Sequence, residues 1–406
     1  MTGYFLGMVD FGAGPLTSAG DFDMFVAKFA PSGTVLWSKR FGGAGGQYGR
    51  GIASTPLGDV VVLSAFESAI DFGGGPLISN GDLDIGLTKL DGSGNFKWAK
   101  SFGDAVLQQG LGLAVDSSGD IIIDALNWGT VNWGGAPLTS AGPKGSIIAA
   151  KLDQNGTHVW SHIFQNIGNA FAPELWRVAV DDQKNVVFAG AFRGSIDFGA
   201  GPLVSAGQRD VFVVKLDPGG SLAWAKRFGD GLDQEGTQAA ADSSGNVFIT
   251  GNFNGSLNFG SGPLVAAGIG DIFLAKLDPS GNGLWSKRFG DATSNNMGRG
   301  LQEVVADAEG DAIISGSLGG NADFGGGWLP GGQSGDANPY VAKFGATGTY
   351  AWAFTGNSGG ANAPALAADP SGNVIISGQV LSPISFAGAS LTPTGSSDIY
   401  VLKLSP

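Results

Sequence analysis

Short apolar runs alternate with polar punctuation along the whole chain, and the pattern recurs. In Asn246–Asp291, apolar and polar residues alternate over Asp271–Leu277 (DIFLAKL). β-Branched and aromatic residues fill Asn246–Phe253 (NVFITGNF). A weakly apolar run, Gly236–Asp242 (GTQAAAD), comes before them, and a tryptophan-bearing run, Leu284–Phe289 (LWSKRF), comes after. Period-two alternation bounded by Gly, Asp, Ser and Pro is the signature of strands. Each copy therefore predicts four short strands, and no amphipathic helical stretch stands out. Asp242–Gly245 (DSSG) and Asp278–Gly281 (DPSG) predict tight hairpin turns. Asp caps such a turn, Pro presets φ, and Gly accepts the positive φ of closure. Strands two and three are joined by a longer Gly-rich segment, Gly255–Gly270, which reads as a small hairpin.

Three markers fix the repeat. Tryptophan recurs at Trp37, Trp98, Trp160, Trp224, Trp285 and Trp352, spaced 61, 62, 64, 61 and 67 residues apart. A lysine closing the third strand recurs at Lys28, Lys89, Lys151, Lys215, Lys276, Lys343 and Lys403. An aromatic in a DFG-like loop recurs at Phe11, Phe72, Trp133, Phe198, Phe259, Phe324 and Phe386. A four-stranded antiparallel sheet cannot bury both faces alone, so stacked copies argue for an all-β β-propeller. The tryptophan is expected to wedge one blade against the next, with the lysine stem along it and the ammonium in water. The competing reading makes the lysines a series of anion sites.

The pieces Ala240–Gly251 and Asp271–Gly290, with Leu113–Ile123 and Val178–Gly190 in earlier copies, resemble the bacterial family of seven-bladed β-propeller repeats. The resemblance covers essentially the whole chain. It implies the fold and a secreted or cell-surface location, not a chemistry. The insert at Ile70–Gly81 looks like a Gly-rich variant of the family pattern. Units fall near 1–43, 44–104, 105–166, 167–230, 231–291, 292–356 and 357–406, in a single propeller domain over 1–406. Thr2–Phe5 aligns with Thr250–Phe253, and the chain ends just after Asp398–Leu404. Both terminal units are thus one strand short. A six-bladed arrangement would leave nearly a whole unit unused. The start inside a unit reads as that of a fragment, with any signal peptide upstream.

Composition then removes whole classes of function. With no Cys, there is no disulfide framework, thiol nucleophile or cysteine metal site. The net charge of −13 argues against nucleic acid, and no apolar run is long enough to insert in a membrane. The acidity is almost all Asp, the residue that caps turns. The same Asp turns are the basis of a calcium reading, although calcium needs six to eight converging oxygens. His158 and His162 flank Trp160 at an even spacing, which predicts a shared, exposed face.

What all copies share is scaffold; what one copy carries alone is a candidate site. On that ground the candidate ligand-binding residues are Trp128 and Trp133 in one insert, and Glu174, Trp176 and Arg177 in a long connection. Asp230, Asp233 and Glu235 in another loop, and Arg299 and Glu303 in a third, complete the set. These loops and inserts are expected on one rim, the tight Asp turns on the other. Tryptophans with mixed acids and bases suit a glycan or a protein segment. The leading expectation is a monomeric, non-enzymatic binding or scaffold module, extracellular or on a bacterial surface. One alternative is a polysaccharide hydrolase or lyase using the rim carboxylates, which needs two carboxyl groups flanking the bond. The other is a purely structural surface repeat.

Overall fold

A computed structural model describes residues 1–406 except 168–173, 293–301, 333–336, 357–364, 387, 396 and 406. At 167, 174–176 and 237 it describes the strand backbone alone. Every regular element among the described residues is a strand. Five sheets have four strands and the first and last have three. The fold is a seven-bladed β-propeller with antiparallel blades.

The copy used above shows how sequence becomes blade. Its strands are Gln234–Ala241, Val247–Phe253, Asp271–Leu277 and Gly283–Phe289, paired in chain order. The segment between the second and third strands folds back as a small hairpin, Ser256–Asn258 with Pro263–Val265. The turn at Asp278 closes through Gly281 N–H to the Asp278 carbonyl, 2.8 Å, with Gly281 at φ +79°. The Asp278 carboxylate takes the N–H groups of Ser280 and Asn282. A register shift follows between Lys276 and Leu277. This is a three-residue hairpin with a glycine bulge, the geometry an Asp-Pro-Ser-Gly turn encodes.

The register shift sets lysine opposite tryptophan. Lys28 pairs with Trp37, Lys89 with Trp98, Lys151 with Trp160, Lys215 with Trp224, Lys276 with Trp285 and Lys343 with Trp352. The tryptophan reaches the next copy: Trp37 Nε1 donates to Gly92 O at 3.2 Å and Trp224 Nε1 to Pro279 O at 2.9 Å. Trp285 Nε1 donates to Ala346 O at 3.0 Å. Most of the ammonium groups, however, are buried away from water. Lys151, Lys215, Lys276 and Lys343 lie 2.8, 2.9, 3.0 and 2.8 Å from Asp116, Asp181, Asp242 and Asp307, the first residues of the tight turns. Both partners are buried. Burying an ammonium requires a counter-charge, and the Asp of the turn supplies it. In the second copy the turn reads Thr55–Asp59, and the carboxylate has moved to Asp59, 3.3 Å from Lys89.

The inserts anchor by their aromatic. Phe72 packs on Phe41, Trp133 on Phe102, Phe259 on Phe228 and Phe324 on Phe289, at centroid distances of 5.2, 4.3, 4.8 and 4.8 Å. Each partner closes the outer strand of the preceding copy. The Asp of the DFG-like loop holds the loop itself, as when Asp71 accepts from Gly73 and Gly75.

The chain divides into two compact units. The first, Met1–Val180 with Asp217–Ser221, holds the first three sheets and the strand Glu174–Val180. Its core joins Val61, Leu63, Ile85, Ile123, Trp133 and Ile148 between neighbouring sheets. The second, Asp181–Leu216 with Leu222–Pro406, holds the later copies. Its core includes Val187, Val213, Ile249, Phe259 and Phe273.

Candidate functional site

Most of the residues singled out above lie where an inner strand begins or in an insert, and the structure gives a place to those whose side chains it describes. Trp133 is a core residue, 1% exposed, stacked on Phe102. It therefore replaces the usual phenylalanine as a wedge and is not a ligand platform. Trp128 is half-buried and covers Gly145; a Cβ there would stand 2.9 Å from its Cε2. Glu174 and Trp176 have side chains outside the described residues, as does the whole of Arg299. Arg177 is half-buried on its strand, and its charge acts on Asp124 in the same unit.

The acids of the second unit are engaged in structure. Asp230 accepts from Leu232 N and Gln234 Nε2 with one oxygen and from Ser256 N at 2.7 Å with the other. Burial pushes its carboxyl up, but these bonds outweigh it and hold the group below the ordinary carboxylate range. Asp104 does the same in an earlier copy, accepting from Val106, Gln108 and Thr130. Asp233 forms a two-point bond with Arg209, Nε to Oδ1 at 2.9 Å and Nη2 to Oδ2 at 2.5 Å. Glu235 meets the same guanidinium. Glu303 is buried and accepts from Leu366 N at 2.7 Å, tying neighbouring inner strands. Asp233 and Glu235 are thus brought together, but around a cation. A carboxylate neutralised by a two-point arginine bond is a poor general base.

The histidines do not share a face. The register shift at Lys151 and Leu152 falls between them and inverts the alternation. The His158 ring lies against Gly135 of its own insert, and His162 lies on Trp160 beside Gly220. Neither is exposed. Burial lowers the His162 imidazole below its ordinary value, partly offset by a bond with the Gly220 backbone.

Calcium also meets prior occupants. Asp307, Glu309 and Asp311 bring carboxylate oxygens within 4.8 Å of one another. The Lys343 ammonium stands among them at 2.8, 3.8 and 3.2 Å.

A second cluster, in the first unit, was not singled out from the sequence. Tyr4 meets Phe22 at 5.4 Å and Tyr48 at 5.1 Å edge-to-face, and the Phe22 and Tyr48 rings lie tilted to each other at 6.1 Å. Tyr4 is 47% exposed and Phe22 36%. The Arg50 guanidinium lies 5.4 Å over Tyr48, and its Nε is buried with no hydrogen-bond acceptor. Burial raises the Tyr48 phenol, and the charges of Glu67 and Asp21 raise it further. The hydroxyl therefore stays protonated as a donor through neutral pH. The rule that unique departures mark sites finds these residues. Phe22 occupies the slot of Leu83 and Arg209, just before the third strand; Tyr48 occupies that of Gln109 and Glu235.

No protein-family model matches the chain. An uncharacterised WD repeat-containing protein of Acanthamoeba polyphaga mimivirus is 25% identical over 158 residues, 35% of this chain and 11% of that protein. The chain thus matches about a tenth of that relative's length. Among solved structures, a protein of unknown function from Bacteroides caccae is similar over 87% of this chain and 93% of its own, at 9% identity and TM-score 0.41. A mutant of the Synechocystis apocarotenoid oxygenase is similar over 99% and 89%, at 13% identity and TM-score 0.44.

Proposed function

We propose that this protein is a non-enzymatic binding module that takes a glycan or a protein segment on its loop-rich rim. In this reading it is a secreted or cell-surface member of the bacterial seven-bladed propeller repeats. The carrying observation is the Tyr4, Phe22 and Tyr48 cluster, part-exposed, with Arg50, Asp21 and Glu67 around it. Flat aromatic faces suit the C–H face of a sugar ring or an apolar side chain. The guanidinium, phenol and carboxylates supply hydrogen bonds around them. The hydrolase or lyase reading rested on Asp230, Asp233 and Glu235, and those carboxylates cap backbone or pair with Arg209.

The test is substitution within the cluster. Phe22→Ala and Tyr48→Ala are each expected to weaken the retained glycan or peptide about tenfold or more, the loss typical of a central aromatic anchor. Leu57→Ala, exposed on the tight turn of the second copy, is expected to leave affinity unchanged. Calorimetry giving equal affinities for Tyr48→Ala and the parent refutes the placement.

A further inference from the structure

The second and third copies meet differently from their siblings at the tight turns. Where the fifth copy meets the fourth, the turn glycine Gly245 packs on Asp181 and Lys215; a Cβ there would stand 3.3 Å from Oδ2 and 3.5 Å from Nζ. Gly310 of the sixth copy packs on Asp242 in the same way, at 3.5 Å. The second copy has Thr55 where these copies have the aspartate. Thr55 Oγ1 accepts from Asp59 N at 3.2 Å and so still closes its turn, but a hydroxyl has no second oxygen to reach a lysine. Across from it, a Cβ on Gly119 would meet only Gln154 of its own copy, at 3.6 Å. The space left is a cavity of about 210 Å³, walled by Thr55, Pro56, Leu57 and Lys89 of the second copy and by Ser117 and Ser118 of the third.

Charge at the cavity is uneven. Lys89 is 5% exposed; its ammonium donates to Gln154 O at 3.1 Å and stands 3.3 Å from Asp59 Oδ2. The same oxygen takes the Lys97 ammonium at 2.7 Å. One carboxylate thus serves two cations, whereas Lys151 has two carboxylates, Asp116 and Asp120, at 2.8 and 3.2 Å. A buried ammonium needs a counter-charge. The indole opposite Lys89 is also displaced. A Cβ on Gly156 would meet Cη2 of Trp98, whereas on Gly94, Gly281 and Gly348 it would meet Cδ2 of Trp37, Trp224 and Trp285. Those three tryptophans donate to the next copy, but Trp98 Nε1 is buried with no acceptor.

We infer that this cavity binds a small monocarboxylate with a short apolar tail. The carboxylate takes the place on Lys89 that Asp181 and Asp242 fill on Lys215 and Lys276. Thr55 keeps its own O–H to donate, and Ser117 and Ser118 bring two more hydroxyls to the wall. Pro56 and Leu57, both exposed, offer the tail an apolar surface. One water needs about 10–15 Å³ and drug-sized ligands about 300 Å³ or more, so the cavity suits a molecule of a few heavy atoms. The site shares no residue with the Tyr4, Phe22 and Tyr48 cluster and does not rest on the glycan or protein reading.

The experiment is saturation-transfer NMR of the full 406-residue chain with butanoate. Saturable binding in the millimolar range is expected, with butanamide neither bound nor competing. Lys89→Met leaves Asp59 paired with Lys97 and is expected to weaken binding at least about tenfold, the loss of one charge-assisted bond. Thr55→Asp gives Lys89 the two-carboxylate arrangement that Asp116 and Asp120 make on Lys151. It is expected to abolish binding while raising the melting temperature, which separates a filled site from a misfolded protein. Thr55→Ser is expected to bind as the parent does. No saturation by the parent, equal binding of butanamide, or parent-like binding by Thr55→Asp overturns the proposal. So does displacement of butanoate by an equal concentration of inorganic phosphate, because the site is then not selective for a carboxylate.

Discussion

Asp124→Asn is expected to stabilise the protein above pH 7, with the gain fading as the pH falls towards 4. Asp124 stands on Ile121–Asn127 opposite Gly112, where other copies place Leu63, Ala189 and Thr250. It is fully buried, and neither carboxyl oxygen has a well-directed hydrogen bond. Burial pushes its carboxyl up to about 7, against an ordinary 3.8; the backbone N–H groups of Asp124 and Gly112 and the charge of Arg177 offset only part of this. The sign follows. Between pH 3.8 and 7 the native state keeps a proton that the unfolded chain has released. Stability therefore falls as pH rises through that window and levels off above it. The slope is about 1.4 kcal/mol per pH unit and the full loss on the order of 4 kcal/mol. Asn has the same shape and never ionises. Urea unfolding of both proteins across pH 4 to 9 checks it. A parent-to-variant difference that does not change with pH would show that Asp124 is ionised when folded.

The second large effect is in the lysine–aspartate pairs. Asp242→Ala leaves the Lys276 ammonium buried, with only the carbonyls of Gly310 and Ala346 at 3.3 Å and the Phe248 ring at 4.6 Å. Removing one partner of a buried pair costs about 3–5 kcal/mol, because the remaining charge is uncompensated. The double change Asp242→Ala with Lys276→Met is expected to recover most of that loss. Burial raises the Asp242 carboxyl, but bonds from Asn246 and Lys276 outweigh it and the net direction is down. A carboxylate held low contributes stability above its unfolded value, lost as pH falls through the native one. The pair is thus intact at neutral pH and fails only in acid. Denaturant unfolding of the single and double variants decides it; a single-variant loss below about 1 kcal/mol would mean the pair is solvated.

These pairs also show where the sequence was legible. The strands of Asp271–Leu277 and Asp398–Leu404, the hairpin turns and the lysine–tryptophan register follow from local alternation and turn residues. The ammonium's partner did not, because it comes from a turn two strands away. Asp242 looked complete as a cap of its own turn, and it does cap it, with Oδ1 accepting from Ser244 and Asn246. Its second oxygen does the pairing. The histidine faces were misread for a similar reason: a bulge breaks the parity that sequence spacing assumes.

The candidate site was less legible. Trp133 drew notice as a rare residue, but its position was the repeat's wedge, where a larger ring fits the same pocket against Phe102. Asp233 and Glu235 share one loop in the sequence, while Arg209 lies a whole strand pair earlier and only the fold brings it to them. Tyr4, Phe22 and Tyr48 come from three separate segments of the first two copies. Each sits in a slot that differs from copy to copy, as Asn252 stands in the slot of Tyr4 and Arg209 in that of Phe22. Their meeting depends on how inner strands of neighbouring copies lie side by side.

The most direct measurement is a glycan-array screen of the parent and of Tyr48→Ala, each with calcium and with chelator. The account predicts selective retention by the parent, unchanged by chelator and lost in the variant. Equal retention by both proteins or retention abolished by chelator contradicts it, and no retention by the parent excludes a glycan as the ligand.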